Sequence, residues 1–287
     1  MRAKEPLIIF FKGLFMGTAD VIPGVSGGTI ALITGIYERL VHAISSIDLG
    51  FISHFVKRDF DGAKRSIGNI DFPLFIPLLI GIGLAIIVMS RVMDYFLNNF
   101  EAPTYAFFFG LILASAVLLY RKVEGFSIII MLFSITGFLA GFFFTGLATL
   151  QIGHSLPIIF VSGIIAICAM ILPGISGAFV LLLLNQYEYM VSVLKDLQFL
   201  EIFIFIIGAL IGILAFSRVL DRVLRKYKSY TLAFLIGLML GALRLLYENV
   251  ESSIDSIWPV VISGLLGFFI ILVLIELRKR VGVSPKV

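Results

Sequence analysis

Residues 16–29 read Met-Gly-Thr-Ala-Asp-Val-Ile-Pro-Gly-Val-Ser-Gly-Gly-Thr, and the motif within them decides the fold because it occurs twice. Pro23-Gly24-Val25-Ser26-Gly27 is followed 150 residues later by Pro173-Gly174-Ile175-Ser176-Gly177, and both copies interrupt apolar stretches. Proline lacks an amide donor and glycine is conformationally loose, so each motif predicts a broken helix. Irregular backbone at membrane depth is tolerated only where it is buried in protein or lines a cavity. Two such breaks in matching halves therefore point to the binding site of a transporter.

The composition is that of a membrane protein. Of the 287 residues, 60% are hydrophobic and 14% are charged, and the mean hydropathy is +1.11, whereas a soluble domain carries about 25% charged residues. Several apolar runs approach the ~20 residues needed to cross a bilayer. The net charge of +4 does not indicate a nucleic-acid partner, because the basic residues flank hydrophobic runs, where topology signals lie. One cysteine and three histidines show no metal-ligand spacing, and no nucleotide motif is present, so neither a metal nor a cofactor is expected.

The repeat extends well beyond the motif. Residues 81–120 align with residues 208–247 without a gap, and 16 of the 40 positions are identical. This alignment has an offset of 127 residues, whereas the motif recurs at an offset of 150, so the first half carries an insertion of 23 residues. The insertion falls in the polar stretch at about 45–71. We therefore predict two repeats, covering 1–150 and 151–287.

Each repeat is predicted to contain a broken helical hairpin followed by three hydrophobic helices, in an all-α polytopic membrane protein. The hairpin pieces are about 16 residues long, which is short for a full crossing and favours a re-entrant hairpin over one that crosses twice. Three crossings per repeat is an odd number, so the second repeat should be inverted relative to the first. The predicted long helices cover about 73–95, 103–120 and 126–147, and then 202–217, 230–247 and 257–277.

The basic residues agree with an inverted repeat. With the N-terminus placed inside, 19 of the 22 lysines and arginines fall on the cytoplasmic side. The exceptions are Arg91, Lys195 and Arg244. The positive-inside rule therefore predicts that both termini are cytoplasmic.

The residues that follow each break are candidates for binding an anion. A helix start presents free N–H groups and a partial positive charge, a hydroxyl adds a donor, and glycine permits close approach. In an inverted repeat the two tips meet near the middle of the membrane, where they are suited to a phosphate or carboxylate. Alternatively, the Pro-Gly pairs only kink packed helices that the serines cap. The candidates are Ser26, Gly27, Gly28, Thr29, Ser176 and Gly177, next to the breaks at Pro23, Gly24, Pro173 and Gly174.

A second repeated pattern places an aspartate three residues after an arginine, in Arg91 with Asp94 and in Arg218 with Asp221. Such pairs stabilise one helix face and anchor it at the membrane surface. At opposite surfaces, the two guanidinium groups are also candidates for receiving a phosphate head group from either leaflet.

Three acidic residues are candidates for proton carriers. Asp20 lies three residues before Pro23, while Glu38 and Glu188 follow the two hairpins. Ionisable groups within a membrane are costly and are functional candidates for that reason. Glu38 and Glu188 alternatively lie among the lipid head groups.

Residues 16–29, with Leu172-Pro173-Gly174-Ile175-Ser176-Gly177, resemble the polyprenyl-phosphate transporter family, and the resemblance covers nearly the whole chain. It implies a flippase, not an enzyme, in the bacterial cytoplasmic membrane. Its lipid partner would be undecaprenyl phosphate, the carrier of envelope synthesis, which returns from the outer to the inner leaflet by alternating access. The second motif ends in Gly177-Ala178 without a double glycine, so the two tips need not bind equally. The oligomeric state is left open.

Such a head group carries about −1.5 to −2 charges. Its movement toward a negative interior is opposed, so proton or ion coupling is expected. Two other functions stay open. A transporter or channel for a small soluble anion would use the same helix ends. The Pro-Gly-x-Ser phrase also resembles part of the pattern of undecaprenyl-pyrophosphate phosphatases, which would make the chain a membrane enzyme. In that pattern an arginine follows the serine, whereas this chain has Gly27 and Gly177 there, so hydrolysis is not expected.

Overall fold

A computed structural model describes residues 5–22, 24–48, 70–125, 127–150, 152–253 and 256–280, with a few single positions between 59 and 68 and with side chains up to 273. Pro23, most of the polar stretch at 45–71 and both termini lie outside the described residues. Twelve helices and no strand occur in the part that is described. The first six are α1 (Glu5–Asp20), α2 (Gly27–Ile33), α3 (Tyr37–Ser45), α4 (Phe72–Asn99), α5 (Glu101–Tyr120) and α6 (Ile128–Thr145). The second six are α7 (Leu156–Ile171), α8 (Gly177–Leu183), α9 (Tyr187–Lys195), α10 (Phe199–Lys226), α11 (Lys228–Ser252) and α12 (Ile257–Arg280).

The first four helices of each set have the same lengths in the same order. The first helix of each set has 16 residues, and α4 and α10 each have 28. Five helices, namely α4, α5, α6, α10 and α11, are long and apolar enough to cross a membrane, and α12 is apolar over 257–273. The all-helical, multi-pass membrane class predicted from the sequence is thereby confirmed. Inversion of the second repeat and re-entrance of the hairpins stay predictions.

Each hairpin contains a second break that the sequence analysis did not predict. The segment after the Pro-Gly motif forms two short helices, and α8 and α9 meet at an angle of 106°. Gly35, two residues after the end of α2, has φ +71°, and Asn185, two residues after the end of α8, has φ +54°. The amide of Ile36 bonds to the Ala31 carbonyl at 2.9 Å, and the equivalent bond in the second repeat is 2.8 Å. These are helix-ending turns that require a left-handed residue, which glycine and asparagine tolerate best.

Both hairpins return to the point where they began. In the first, Arg39 on α3 bonds to Glu5 at the start of α1 (2.8 Å) and to Asp71 before α4 (2.9 Å). The hydrogen bond with Asp71 raises the pKa of the Arg39 guanidinium. In the second, the Tyr189 ring on α9 stacks on His154 just before α7, with ring centroids 4.1 Å apart. Different side chains therefore close the two hairpins in the same way.

The described chain forms two compact units, and each takes residues from both repeats. Unit 1 comprises 1–88 and 148–227, and unit 2 comprises 89–147 and 228–287. The predicted repeats at 1–150 and 151–287 describe the duplication in the sequence and stay a prediction. Both broken hairpins belong to unit 1.

Equivalent glycines bring equivalent helices together within unit 1. α1 packs on α4 at Gly13, where an added Cβ would collide with the Leu78 carbonyl. α7 packs on α10 at Gly163, where it would collide with the Phe205 carbonyl. Gly13 and Gly163 are separated by the repeat offset of 150. Small residues allow such close packing of membrane helices, which lack a hydrophobic driving force between them.

In unit 2 the repeats exchange equivalent helices, so that a helix of one repeat packs on a helix of the other. α5 packs on α12, with Gly110 against Gly264, and its repeat equivalent α11 packs on α6, with Gly237 against Ser134. α5 and α11 are the most buried of the long helices. This exchange is the pattern that a two-fold relation between the repeats produces.

Candidate functional site

The two Pro-Gly motifs form equivalent turns in unit 1. Gly24 has φ +82° and Gly174 has φ +89°, a region that side-chain-bearing residues rarely adopt. In each turn the residue after the glycine bonds back to the residue three positions earlier. The bond is 3.1 Å from the Val25 amide to the Ile22 carbonyl, and 3.4 Å in the second copy. The glycines are therefore needed for the turns themselves.

The tips of the two hairpins are hydrogen-bonded to each other. The Gly174 amide donates to the Thr29 hydroxyl at 2.8 Å, and the Ser26 hydroxyl donates to the Leu172 carbonyl at 3.4 Å. Ser26 and Thr29 are almost completely buried. The structure thus brings together the two motifs that lie 150 residues apart in the sequence.

The amides at the start of α2 are occupied by the chain's own side chains. The Gly27 amide donates to Asp20 Oδ1 at 2.7 Å, and the Gly28 amide donates to the Ser26 hydroxyl at 3.2 Å. A Cβ on Gly27 would lie 2.5 Å from Asp20 Oδ2. Gly27 is consequently the residue that lets a carboxylate approach the backbone at this tip.

The second tip lacks this carboxylate. Met170 stands at the position equivalent to Asp20. Ser176 makes no side-chain cap to α8, and both Ser176 and Gly177 are half-buried. The two tips therefore share a turn geometry but differ in charge.

A cavity of about 770 Å³ in unit 1 reaches the first tip. Asp20, Gly27 and Gly28 form one part of its wall, and the rest comes mainly from apolar side chains of α1, α3, α4, α7 and α10. Two lining residues on α4, Ile76 and Leu79, are 55% and 60% exposed, so the cavity lies beside the lipid-facing surface of that helix. The cavity is thus largely apolar, and Ser26 and Thr29 bond to the other tip without lining it.

Tyr37 is a lining residue that the sequence analysis did not select. Its ring contributes to the cavity and is 2% exposed. Its hydroxyl has no hydrogen-bond partner within the described ranges, and a buried hydroxyl without one is unfavourable by about 1–3 kcal/mol. Tyr187, its repeat equivalent, is 40% exposed. The signal available in the sequence was the repeated Tyr-Glu pair at 37–38 and 187–188.

The remaining candidates do not line this cavity. Glu38 and Glu188 are exposed in the first turns of α3 and α9, and Arg91 is exposed on α4 in unit 2. Arg218 lies on α10, where its guanidinium donates to the Ile47 carbonyl at 3.0 Å. Of the three proposed proton carriers, Asp20 alone is placed against the cavity.

Comparisons with known proteins match this chain over most of its length. Residues 16–274 match the family described as undecaprenyl phosphate translocase-like. A "Polyprenyl-phosphate transporter" of Vibrio cholerae serotype O1 is 40% identical over 258 residues, which is 90% of this chain and 79% of the relative. A "Polyprenyl-phosphate transporter" of Staphylococcus aureus is 31% identical over 289 residues, 93% of this chain and 95% of the relative. No solved structure gives a significant match. The chain belongs to the undecaprenyl phosphate translocase-like family.

Proposed function

We propose that this chain carries a polyprenyl phosphate from the outer to the inner leaflet of the bacterial cytoplasmic membrane. Both relatives are named for transport of this lipid class, and neither is named as an enzyme. The observation that carries the proposal is the cavity in unit 1, which joins a long apolar wall to the tip that holds Asp20, Gly27 and Gly28. Such a lipid needs hydrocarbon contact along its chain and polar contact only at its head.

The proposed architecture is an inverted repeat with re-entrant hairpins and cytoplasmic termini. The contact between Arg39 and Glu5 supports re-entrance, because the chain returns to the start of α1 after the tip. The exchange of equivalent helices in unit 2 supports a two-fold relation, and the odd number of long helices per repeat implies inversion. Alternating access between the repeats would then expose the head group to each leaflet in turn.

The contact between Asp20 and Gly27 is the observation that supports a proposed coupling to protons. We propose that the phosphate binds at the candidates Ser26, Gly27, Gly28, Thr29, Ser176 and Gly177. Two anions cannot share the Gly27 amide without strong repulsion, so binding requires Asp20 to leave or to take up a proton. At 100 mV, interior negative, inward movement of the head group is opposed by about 4 kcal/mol. A proton that travels with the phosphate reduces this opposition.

Head-group accessibility in proteoliposomes tests the transport proposal. The full chain is reconstituted with a short-chain polyprenyl phosphate, and alkaline phosphatase is added outside. Without transport, only lipid in the outer leaflet, about half of the total, is hydrolysed. With transport, hydrolysis proceeds toward completion at a rate set by the protein. Hydrolysis that stops at the level of protein-free vesicles would refute the proposal.

Asp20→Asn tests the coupling separately. Asparagine keeps an oxygen for the Gly27 amide but cannot carry a charge or a proton. We expect transport by this variant to lose its dependence on an imposed pH gradient, while Glu38→Gln, at an exposed position, retains it. An unchanged gradient dependence in Asp20→Asn would remove Asp20 from the coupling role.

The apolar cavity favours this function over transport of a soluble anion. A small hydrophilic anion would gain nothing from a wall of isoleucine, leucine and phenylalanine. In the vesicle assay, uptake of inorganic phosphate without any head-group translocation would favour the soluble-anion alternative. Release of inorganic phosphate by the purified chain alone would favour the phosphatase alternative.

A further inference from the structure

A basic pocket of about 440 Å³ lies between α3 and α10 in unit 1. Its lining consists of polar and charged side chains only, unlike the cavity beside the first tip. α10 has 28 residues and is about 42 Å long at 1.5 Å per residue, whereas the hydrocarbon core is about 30 Å thick, so a polar end of the helix extends past it. The pocket consists of His42 and Ser45 from α3, Ser46 directly after it, and Arg218, Asp221, Arg222 and Arg225 from α10.

Positive charge in the pocket exceeds what its own residues neutralise. Asp221 is its one acidic member and accepts from Arg225 Nε at 3.0 Å. Arg225 also contacts the His42 ring. Arg218 is bound to a neutral backbone carbonyl, and Arg222 makes no ion pair with any residue that the structure describes. Among the residues that the structure describes, two guanidinium charges thus remain for a ligand.

The basic pocket adjoins the apolar cavity along the same pair of helices. Ile44 on α3 and Ile47, just after that helix, line the cavity, while Ser45 and Ser46 between them line the pocket. On α10, Leu214 lines the cavity and Arg218, about one turn later, lines the pocket. The junction is a direct contact, since the Ile47 carbonyl accepts the hydrogen bond from Arg218. A ligand that spans both regions must be apolar at one end and anionic at the other.

Two arginines of the pocket, Arg222 and Arg225, are not duplicated in the first repeat. The alignment of 81–120 with 208–247 pairs Tyr95 with Arg222 and Asn98 with Arg225. The Asn98 amide bonds to Asp94 at 3.1 Å, as Arg225 bonds to Asp221. The helix-face pairing is therefore common to both repeats, and the additional guanidinium groups belong to the second.

We infer that this pocket binds the phosphomonoester head group of a lipid whose chain lies in the adjoining apolar cavity. The inference rests on the proposed function and adds a second position for the head group, at the end of α10 and separate from the hairpin tips. A phosphomonoester carries about −1.5 to −2 charges, which matches the unneutralised guanidinium groups. Arginine also binds phosphate through paired, directional hydrogen bonds that lysine cannot reproduce.

The test is binding of farnesyl phosphate to the purified full chain in nanodiscs of zwitterionic lipid. We expect Arg222→Gln with Arg225→Gln to weaken binding at least tenfold. The charge-preserving pair Arg222→Lys with Arg225→Lys should weaken it severalfold, because the paired hydrogen bonds are lost. Arg121→Gln, which removes an exposed arginine at the end of α5, is the matched control and should bind as the unmodified chain does.

Competitors identify the chemistry that the pocket recognises. Farnesol should compete weakly because it lacks the phosphate, and inorganic phosphate should require far higher concentrations because it lacks the chain. Phosphatidylglycerol, a phosphodiester with a single charge, should also compete weakly. Equal competition by phosphatidylglycerol would overturn the inference in favour of a general anionic-lipid surface. Competition by inorganic phosphate at the concentrations effective for farnesyl phosphate would overturn it in favour of a soluble anion.

The failure of this inference is distinguishable from failure of the proposed function. If the double glutamine variant binds as tightly as the unmodified chain while head-group translocation proceeds, the pocket is not the binding site and the transport proposal stands. If the unmodified chain neither binds farnesyl phosphate nor translocates a polyprenyl phosphate, both are overturned.

Discussion

Gly27→Ala tests whether the first tip depends on a carboxylate that lies against the backbone. The Gly27 amide donates to Asp20 Oδ1 at 2.7 Å, and an added Cβ would lie 2.5 Å from Oδ2 and 2.7 Å from Oδ1. No Cβ fits there, so the carboxylate must move and the hydrogen bond is lost. A hydrogen bond to a charged group contributes about 1.5–3 kcal/mol. We expect Gly27→Ala to lower the free energy of unfolding by about this amount.

A double-mutant cycle isolates that contact. Asp20→Ala removes the carboxylate, so adding Gly27→Ala to it should cost little further, and the coupling energy should be about 1.5–3 kcal/mol. Unfolding is measured by titration with sodium dodecyl sulfate in mixed micelles. Gly83→Ala on α4, where an added Cβ meets nothing within 4 Å, is the control and should be neutral or stabilising. Additivity of the two changes to within about 0.5 kcal/mol would refute the contact.

Three further changes test neighbouring parts of unit 1. Thr29→Val leaves the buried Gly174 amide without its 2.8 Å acceptor and should lower the free energy of unfolding by about 1–3 kcal/mol in the same titration. Gln186→Leu removes a fully buried amide that donates to the Leu184 carbonyl at the second break and to the Gly153 carbonyl before α7, and the expected loss of unfolding free energy is of similar size. A stability equal to that of the unmodified chain would contradict this role. We propose that the Tyr37 hydroxyl, which has no partner within the described ranges, binds the head group, so Tyr37→Phe should slow head-group translocation without lowering stability. Tyr187→Phe, at an exposed position, should leave both unchanged, and equal translocation rates in the two variants would remove Tyr37 from the site.

The positions of the long helices were predictable because they depend on one strong signal. A run of about 20 apolar residues has few alternatives to a membrane helix. The predicted helix at 103–120 is observed as Glu101–Tyr120. The predicted helix at 202–217 continues to Lys226, since the polar end of α10 extends past the apolar run and shows no hydrophobic signal of its own. Hydropathy therefore locates a span but does not determine where its helix ends.

The turns of the candidate site could be predicted from the sequence, whereas most hydrogen-bond partners of its side chains could not. Pro-Gly marked the tips because the turn needs a left-handed residue, and Gly24 and Gly174 have that conformation. The second breaks at Gly35 and Asn185 carry the same local signal without a proline, and they were missed for that reason. Hydrogen bonds between residues distant in sequence leave no local pattern. Nothing local shows that the Thr29 hydroxyl accepts from Gly174 or that the tip amides are already occupied.

The duplication separates the residues that build the scaffold from those that carry charge. Turn glycines, helix-packing glycines and the Arg-Asp pairs recur at fixed offsets, because both repeats must form the same helices and pack them closely. Asp20 has Met170 as its equivalent, and Arg222 has Tyr95. Both of these departures place an ionisable group beside a cavity of unit 1 where the repeat equivalent is uncharged. If the two repeats exchange roles during transport, they do so with different charges at equivalent positions, so the two end states differ in energy and in their attraction for a phosphate.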